Sequence, residues 1–265
     1  MTVHRVRRCK PLLGTFVEVT VAGDADESTL LAWAGEALDA VRDVHRLMSF
    51  QDPHSELSCL NATAHRRPML VHPWTSEVLR CACAIGAQSH GAFDVAVRSG
   101  NGGSFRDIVF NDDGTVTFCR PLTIDLGGIA KGFAVDLAVE LLARHPVSYA
   151  CVNAGGDLRV AGDAPGVVDI RDPAQPRGRS HRVPLTHAAA ATSASYYRRG
   201  GDEVLRPGLR EPVSTEASVT IFAHTCMVAD ALTKVVLLAG PQTSTRVLAL
   251  HEAVSIVLDP LPATP

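Results

Sequence analysis

The sequence has no apolar run long enough for a signal peptide or a membrane-spanning helix. The formal net charge is only -3, so the charge balance gives no reason to expect a nucleic acid or a membrane surface as partner. We therefore expect a cytoplasmic protein, unless a leader has been removed, that neither binds nucleic acid nor inserts into a membrane. One short basic cluster, interpreted as a solvated terminus, consists of Arg5, Arg7, Arg8 and Lys10.

Cysteine pairs with metal-ligand spacing are also absent. The chain has seven cysteines, an odd number without a C-x-x-C pair, which argues against a disulfide framework and a structural zinc site. We expect most of them to be buried as small hydrophobic residues. No internal repeat, low-complexity linker or clear domain boundary divides the sequence, and 46% of its 265 residues are hydrophobic. Residues 1–265 are therefore predicted to form a single domain, with two intimate subdomains as the alternative.

The hydrophobic pattern changes between strand and helix periods along the chain. Alternation over Thr15–Val21 predicts a strand, and helical spacing over Glu27–Phe50 predicts a long amphipathic helix. A second helix is predicted over Thr75–Ser89, with Thr75 or Ser76 as its N-cap. Hairpins and helices mix without regular βαβ winding, so the predicted fold class is α+β, with mixed or antiparallel sheets and packed helices.

One strand–turn–helix segment organises the middle of the sequence. Alternation over 116–124 predicts a strand, and apolar spacing from Ile129 onward predicts a helix. Gly127 and Gly128 form the turn, so the backbone can approach a ligand where the helix N-terminus presents unpaired N–H groups. Lys131 in the first helical turn would be repelled by the helix dipole unless an anion compensates it. The segment lacks the Gly-Lys-Ser/Thr end of a P-loop, and it fits either a phosphate-binding turn or a tight turn whose lysine points into water.

Two further segments carry polar groups at the ends of apolar elements. Asn153–Asp157 contains a second glycine pair after a predicted strand, but not the G-x-G-x-x-G of a dinucleotide fingerprint. A helix starting near Thr225, interpreted as the last of the chain, carries Asp230 with Lys234 four residues later. Their spacing predicts an ordinary i,i+4 ion pair on one face of the helix. The carboxylate alternatively suits a hard cation such as magnesium.

Taken together, seven ordered motifs resemble those of the ApbE family, the FAD:protein FMN transferases. The resemblance covers nearly the whole chain and implies one compact ApbE-like fold over residues 1–265. The motifs are Leu13-Gly14-Thr15-Phe16, Ser55-Glu56-Leu57, Gly91-Ala92-Phe93-Asp94, Asp125-Leu126-Gly127-Gly128-Ile129-Ala130-Lys131-Gly132, Asn153-Ala154-Gly155-Gly156-Asp157, Ala191-Thr192-Ser193 and Ala229-Asp230-Ala231-Leu232.

The resemblance implies a magnesium-dependent group transfer with FAD as the substrate. A threonine hydroxyl of an acceptor flavoprotein would attack the phosphorus on the FMN side of the pyrophosphate, and AMP would leave. Such chemistry depends on positioning the reacting groups and neutralising phosphate charge. The acceptors implied by the family are flavin-carrying subunits of membrane electron-transfer complexes, reached from the cytoplasmic side, and soluble flavinylated reductases.

The resemblance also implies which residues form the site. Asp230 and Lys131 would act in catalysis, and magnesium would rest on Asp230 and the backbone carbonyl of Gly128, with manganese as an alternative ion. Leu13 stands where the family usually has methionine at the isoalloxazine. The second glycine segment would either shape the pocket or only fix its own turn, through Asn153, Gly155, Gly156 and Asp157. The implied FAD-binding residues are Leu13, Ala92, Phe93, Asp94, Asp125, Lys131, Asn153, Gly155, Gly156, Thr192 and Ser193.

Two positions depart from the family pattern. Lys234 stands where the family has an oxygen-bearing residue, and a protonated ammonium cannot ligate magnesium. We therefore predict weaker magnesium affinity or partial replacement of the cation by Lys234. Glu203 and Arg206 stand where active transferases have a histidine and an aspartate, and that histidine is the favoured general base. FAD hydrolysis to FMN and AMP, or FAD binding without catalysis, are therefore the alternative functions.

Overall fold

The computed structural model describes residues 2–171, 181–194, 204–209, 211–213 and 217–258. Its helices are α1 (Glu27–Met48), α2 (Glu56–Thr63), α3 (Pro73–Gln88), α4 (Ala130–Leu142), α5 (Cys226–Leu238) and α6 (Pro241–Leu250). Its strands are β1 (His4–Leu12), β2 (Thr15–Gly23), β3 (Met69–Leu70), β4 (Ile108–Phe110), β5 (Thr115–Phe118), β6 (Val147–Ala154), β7 (Asp157–Ala161), β8 (Gly166–Ile170), β9 (His181–Leu185), β10 (Ala189–Ala194), β11 (Ser218–Ala223) and β12 (Val254–Leu258).

A seven-stranded sheet forms the centre of the fold. Its strand order is β1-β2-β6-β7-β10-β11-β12, and every neighbouring pair is antiparallel. A three-stranded sheet of order β3-β5-β4 and the hairpin β8–β9 complete the described strands. The prediction of an α+β fold with antiparallel sheets and packed helices is confirmed.

The two faces of the central sheet are covered differently. Helices α1, α4 and α5 pack against it, and Arg159 of β7 pairs with Asp136 of α4. Because side chains alternate along a strand, Leu158 and Val160 point to the opposite face. There they form a small apolar cluster with Val168 and other residues of the β8–β9 hairpin. The helices therefore share one face, and the hairpin covers part of the other.

The first turns of α4 and α5 lie in direct contact. A Cβ added at Gly132 would come within 2.3 Å of the Cys226 carbonyl oxygen, so only glycine fits at this crossing. Asp136 of α4 accepts backbone N–H bonds from Cys226 and Met227 of α5, both at 2.8 Å. Arg159 Nη1 donates to the same carboxylate at 3.0 Å. The carboxylate of α4 therefore fixes where α5 begins.

Asn61 explains why one predicted strand is wrong. Strand β5 ends at Phe118, so the predicted strand over 116–124 is too long. The Asn61 side chain donates to the Ile124 carbonyl at 2.9 Å and accepts the Ile124 N–H at 2.8 Å. Ile124 is fully buried, but an amide side chain replaces the neighbouring strand that its backbone would otherwise need.

Two helix predictions also need correction. Helix α3 begins at Pro73, and its N-cap is His72, whose ring nitrogen accepts the Trp74 N–H at 3.2 Å. Thr75 and Ser76 therefore lie inside the helix, and proline at its first position was the overlooked signal. The helix with Asp230 is not the last of the chain, because α6 follows it. The predicted start near Thr225 is confirmed, since Thr225 is the N-cap of α5.

The N-terminal basic cluster belongs to β1 rather than to a solvated terminus. Strand β1 is an edge of the central sheet, where charged side chains hinder pairing with other chains. Its Arg7 forms an exposed ion pair with Glu18 on β2. Among the described residues, no helix has both the length and the apolar character needed to cross a membrane.

The cysteine prediction is wrong for most of the seven. All are free, and only Cys226 is buried, while three are exposed and three are partly exposed. Burial still raises the pKa of the Cys81 thiol to about 11 and that of the Cys83 thiol to about 12. These two side chains are therefore neutral thiols at physiological pH.

Candidate active site

Residues from most of the sequence motifs meet in one cavity of about 450 Å³. Such a volume lies in the usual range of small-molecule sites. Asn153, Gly156 and Asp230 do not line it, although their neighbours Gly155 and Lys234 do. The lining residues anticipated from the sequence are Leu13, Ala92, Phe93, Asp94, Asp125, Gly128, Lys131, Gly155, Asp157, Thr192 and Ser193.

The β1–β2 turn contributes one wall of this cavity. Leu12 pairs with Thr15, so Leu13 and Gly14 form a two-residue hairpin loop. Both have positive φ, 55° and 71°, as the primed hairpin turns require. This conformation is unfavourable for leucine. The hairpin geometry therefore holds an apolar side chain at the cavity wall at some cost in backbone strain.

The loop after α3 contributes Ala92, Phe93 and Asp94. Asp94 Oδ1 accepts backbone N–H bonds from Ala96 at 2.8 Å and from Phe105 at 2.9 Å. Burial raises the pKa of the Asp94 carboxyl, although these two bonds act in the opposite direction. Asp94 therefore fixes the loop conformation while it also lines the cavity.

The central glycine turn brings two cationic side chains to the cavity. Lys131 Nζ donates to the Gly127 carbonyl at 2.9 Å. Asp125 accepts the Gly127 N–H at 2.9 Å and pairs with Arg98 Nε at 2.6 Å. Arg98 also lines the cavity, but it lies in none of the motifs and the sequence analysis missed it. The N-cap of α4 is Ile129, whose apolar side chain cannot cap the helix.

The glycine pair after β6 is held by its own side-chain bond. Asn153 Oδ1 accepts the Gly156 N–H at 2.8 Å. Gly155 and Gly156 have φ of 68° and 107°, and a Cβ at Gly155 would lie 2.5 Å from Thr15 Oγ1. The sequence left two roles open for this segment, shaping the pocket or fixing the turn. The contacts of Asn153 and Gly156 are those of a residue pair that fixes the turn.

A buried ion pair forms part of the cavity floor, which its lysine lines. Lys234 Nζ contacts Asp230 Oδ1 and donates to the Asp230 carbonyl oxygen at 3.1 Å. The Asp230 side chain is 1% exposed and that of Lys234 is 15% exposed. Burial opposes ionisation of Asp230, but the ammonium groups of Lys234 and Lys131 outweigh it and hold the pKa of that carboxyl below its usual value. Asp230 therefore meets the cavity through its lysine partner.

Asp157 is a second buried carboxylate at this place, and it lines the cavity. Burial first, and then the negative charge of Asp230, raise the pKa of Asp157 to about 7. The two lysines act in the opposite direction. The floor thus combines two carboxylates with two ammonium groups, and its net charge depends on the proton of Asp157.

Hydroxyl groups fasten α5 to the central sheet beside this pair. Thr233 Oγ1 donates to the Asp230 carbonyl at 2.7 Å and lies 2.8 Å from Ser193 Oγ of β10. Because Thr233 has one hydroxyl proton, Ser193 must be the donor of the second bond. Thr192 Oγ1 lies 2.9 Å from Thr220 Oγ1 on the neighbouring strand. Ser193 therefore fastens α5 to β10, whereas Thr192 joins β10 to β11.

Comparison with known proteins identifies the family. A family model described as the ApbE family matches residues 13–100 and 103–258. The chain belongs to the ApbE family. The resemblance inferred from the seven motifs is confirmed.

Similar ApbE relatives cover most of the chain. An FAD:protein FMN transferase of Vibrio cholerae is 26% identical, with 94% of this chain and 85% of that protein covered. One from Treponema pallidum is 27% identical, with 93% and 82% covered. In structure, the flavin transferase ApbE from Vibrio cholerae matches with a TM-score of 0.84 at 23% identity, covering 97% of this chain and 94% of that one. The ApbE protein from Thermotoga maritima matches with a TM-score of 0.81 at 26% identity, covering 96% and 94%.

The residues present do not fit a divalent cation at the position implied by the ApbE resemblance. Lys234 Nζ already contacts both the carboxylate and the backbone carbonyl oxygen of Asp230. A Cβ built at Gly128 would lie 3.3 Å from Lys234 Cε, so the lysine stem also packs close to the Gly128 backbone. In the part of the chain that the structure describes, no three His, Cys, Asp or Glu residues are grouped to hold a metal ion.

The segment that departs from the family pattern forms part of the cavity wall. Val204, Leu205 and Pro207 line the cavity, and Leu205 forms an isolated antiparallel bridge with Pro212. Arg206 is exposed. Glu203, the residue in place of the family histidine, lies outside the described residues.

Proposed function

We propose that this chain binds FAD in the cavity and transfers its FMN moiety to a threonine hydroxyl of an acceptor protein. One observation carries the proposal: motif residues that lie far apart in the sequence line the same cavity, from Leu13 to Ser193. The names of the similar proteins, FAD:protein FMN transferase, support this reaction.

The charges at the cavity suit a diphosphate substrate. Arg98, Lys131 and Lys234 all line it, and Lys131 stands in the first turn of α4. Backbone N–H groups at a helix start and nearby cations favour bound phosphate. These groups would hold the pyrophosphate of FAD and neutralise charge as phosphoryl transfer proceeds.

The proposed transfer forms one P–O bond and breaks another. The acceptor hydroxyl oxygen attacks the phosphorus on the FMN side of the pyrophosphate. The bond from that phosphorus to the bridging oxygen breaks, so AMP leaves with the bridging oxygen. The hydroxyl proton is released, and flavin remains attached to the acceptor through a phosphoester.

The magnesium requirement and the cytoplasmic location of the protein remain predictions from the ApbE resemblance. Magnesium, or manganese, was expected on Asp230 and Gly128. The arrangement of Lys234 does not support that ligand set, so no step above depends on a metal. The expected acceptors, flavin-carrying subunits reached from the cytoplasmic side or soluble flavinylated reductases, are likewise proposed from the family.

The proposal is tested by incubating the purified chain with FAD and a flavin-carrying domain that contains the acceptor threonine. AMP release is followed by chromatography, and flavin transfer by fluorescence that survives a denaturing gel. We expect both, with a threonine-to-valine acceptor giving no fluorescent band. AMP without a fluorescent acceptor would instead indicate FAD hydrolysis. If neither AMP nor a fluorescent acceptor formed, the chain would be an FAD-binding protein without this activity.

Lys131→Ala gives a quantitative test of FAD binding. Removing one cation from the diphosphate position should weaken FAD binding about tenfold, which corresponds to about 1.4 kcal/mol. The measurement is isothermal titration calorimetry with FAD. Lys10→Ala is the matched control, because Lys10 lies on β1 and does not line the cavity. Unchanged affinity in Lys131→Ala would contradict the placement of the diphosphate.

A further inference from the structure

The position of Lys234 differs from that of an ordinary surface i,i+4 partner. Its side chain is 15% exposed, and that of Asp230 is 1% exposed. The ammonium contacts both the carboxylate and the backbone oxygen of the same aspartate. Taking these charges out of water is unfavourable unless they stay paired and hydrogen-bonded. Lys234 is therefore a fixed part of the cavity floor rather than a solvated side chain.

We propose that the Lys234 ammonium is the resident cation of this site, so that FAD binding and turnover need no divalent metal ion. The inference rests on the proposed function, because it concerns how the same cavity neutralises the pyrophosphate of FAD. It makes Lys234 a substrate-binding residue.

Lys234 occupies one of the two groups that would coordinate a magnesium ion by family resemblance, the Asp230 carboxylate and the Gly128 carbonyl. Its Nζ contacts the Asp230 carboxylate. Its stem packs close to the Gly128 backbone, since a Cβ at Gly128 would lie 3.3 Å from Lys234 Cε. Magnesium requires close octahedral coordination by oxygen ligands. It could reach Asp230 only if the ammonium moved away.

Charge also opposes a metal ion at this position. An ammonium and a divalent cation that share one carboxylate repel each other at short distance, and the Asp230 side chain is only 1% exposed. Expelling the ammonium would leave Lys234 without the partner that compensates its burial. The protein therefore already supplies one positive charge next to Asp230, where a divalent ion would bring two.

Lys234 can contact a bound substrate, because it lines the cavity, whereas Asp230 does not. A lysine ammonium has three N–H donors. Two of them are directed to the Asp230 carboxylate and carbonyl oxygens. The third remains for a phosphate oxygen of FAD.

Metal binding gives the first test, with a readout that does not depend on activity. Manganese is titrated into the purified 265-residue chain without FAD and followed by electron paramagnetic resonance. We expect no saturable binding to the wild type or to the control Lys10→Thr. Lys234→Thr, which frees the carboxylate and adds an oxygen ligand, should gain a saturable site. A saturable site in the wild type that is unchanged in Lys234→Thr would overturn the proposal.

FAD binding gives the second test. Calorimetric titrations of FAD are carried out in EDTA and in excess magnesium. The wild-type dissociation constant should agree within about twofold between the two conditions, and Lys234→Met should bind about tenfold more weakly in EDTA. Lys10→Met should match the wild type. Wild-type FAD binding that appears only with magnesium would overturn the resident-cation role while leaving the proposed function in place.

A folding control keeps these outcomes interpretable. Lys234→Met leaves Asp230 buried without its partner, so the double variant Asp230→Asn/Lys234→Met is measured as well, and circular dichroism reports the fold. The folded double variant should also lose FAD affinity in EDTA, and full affinity would contradict the proposal. If the wild type bound no FAD in either condition, the proposed function would fail, while the manganese titration would still decide whether Lys234 occupies the metal position.

Discussion

Asp136 and Asp230 lie on neighbouring helices, and each accepts backbone N–H groups from the start of the other helix. Asp136 on α4 accepts from Cys226 and Met227, both at 2.8 Å. Asp230 on α5 accepts from Gly132 at the longer distance of 3.4 Å. The two carboxylates thus have similar burial and reciprocal positions, but different partners.

The two carboxylates differ in the cationic side chain that each one pairs with. Asp136 meets Arg159 of β7, and neither residue lines the cavity. Asp230 meets Lys234, which does line it. Equal residue types at related positions therefore have different roles, one stabilising the helix pair and the other presenting a cation to the substrate site. The sequence motifs singled out Asp230 but gave no sign that Asp136 joins the two helices.

The strongest test of this contrast is Asp136→Ala. The change leaves two N–H groups of α5 and the Arg159 guanidinium without their partner, so the free energy of unfolding should fall by about 4 kcal/mol. Urea denaturation measures it. Glu140→Ala is the matched control, because Glu140 lies 3.2 Å from the same arginine but is 56% exposed, and it should cost less than about 1 kcal/mol. Similar losses of unfolding free energy in Asp136→Ala and Glu140→Ala would contradict the structural role of Asp136.

The second test uses pH and the carboxylate next to Asp230. The pKa of Asp157 is raised from 3.8 to about 7 in the folded protein, so the folded state holds this proton more tightly than the unfolded chain does. The resulting stabilisation is present below about pH 4 and is lost as pH rises through 7. Relative to the wild type, Asp157→Asn should therefore gain about 4 kcal/mol of stability between pH 4 and pH 8.

Urea denaturation at a series of pH values measures this difference. Asp43→Asn on α1, whose carboxylate is exposed in an ion pair with Arg46, should follow the wild-type profile. If the difference between Asp157→Asn and the wild type stayed constant over this range, Asp157 would not hold its proton at neutral pH.

The smallest expected effect concerns the anchoring of α5 near Asp230. Ser193→Ala removes the hydroxyl that donates to Thr233 at 2.8 Å, and it should lower the free energy of unfolding by about 1 kcal/mol. Thermal unfolding is the measurement. Ser76→Ala, which loses only an exposed 3.4 Å bond to Arg80, should change stability by less than about 0.5 kcal/mol. A Ser193→Ala variant as stable as this control would show that the hydroxyl pair does not fasten α5.

Local signals in the sequence predicted those elements whose ends depend on nearby residues. The start of α5 was predicted because Thr225 precedes an apolar helical run and caps it. The strand over 116–124 was predicted too long because its last part is held by Asn61, 63 residues away from Ile124. A side chain that distant leaves no periodic pattern in the sequence.

The same distinction applies to the site. Lys234 was identified from the sequence because it lies one helical turn after Asp230, a spacing that places both on one face. Arg98 was missed, because its pairing with Asp125 at 2.6 Å depends on the fold of two separate loops. The convergence of the motifs on one cavity likewise required the strand order of the central sheet, which the sequence analysis did not assign.

The close crossing at Gly132 has a further consequence for ligand association. Since a Cβ there would lie 2.3 Å from the Cys226 carbonyl oxygen, the backbones of α4 and α5 touch without intervening side chains. Lys131 and Lys234, one on each helix, therefore keep their mutual spacing before any ligand arrives. Association then requires little rearrangement of the receptor, and preorganisation of this kind raises affinity without adding a single contact.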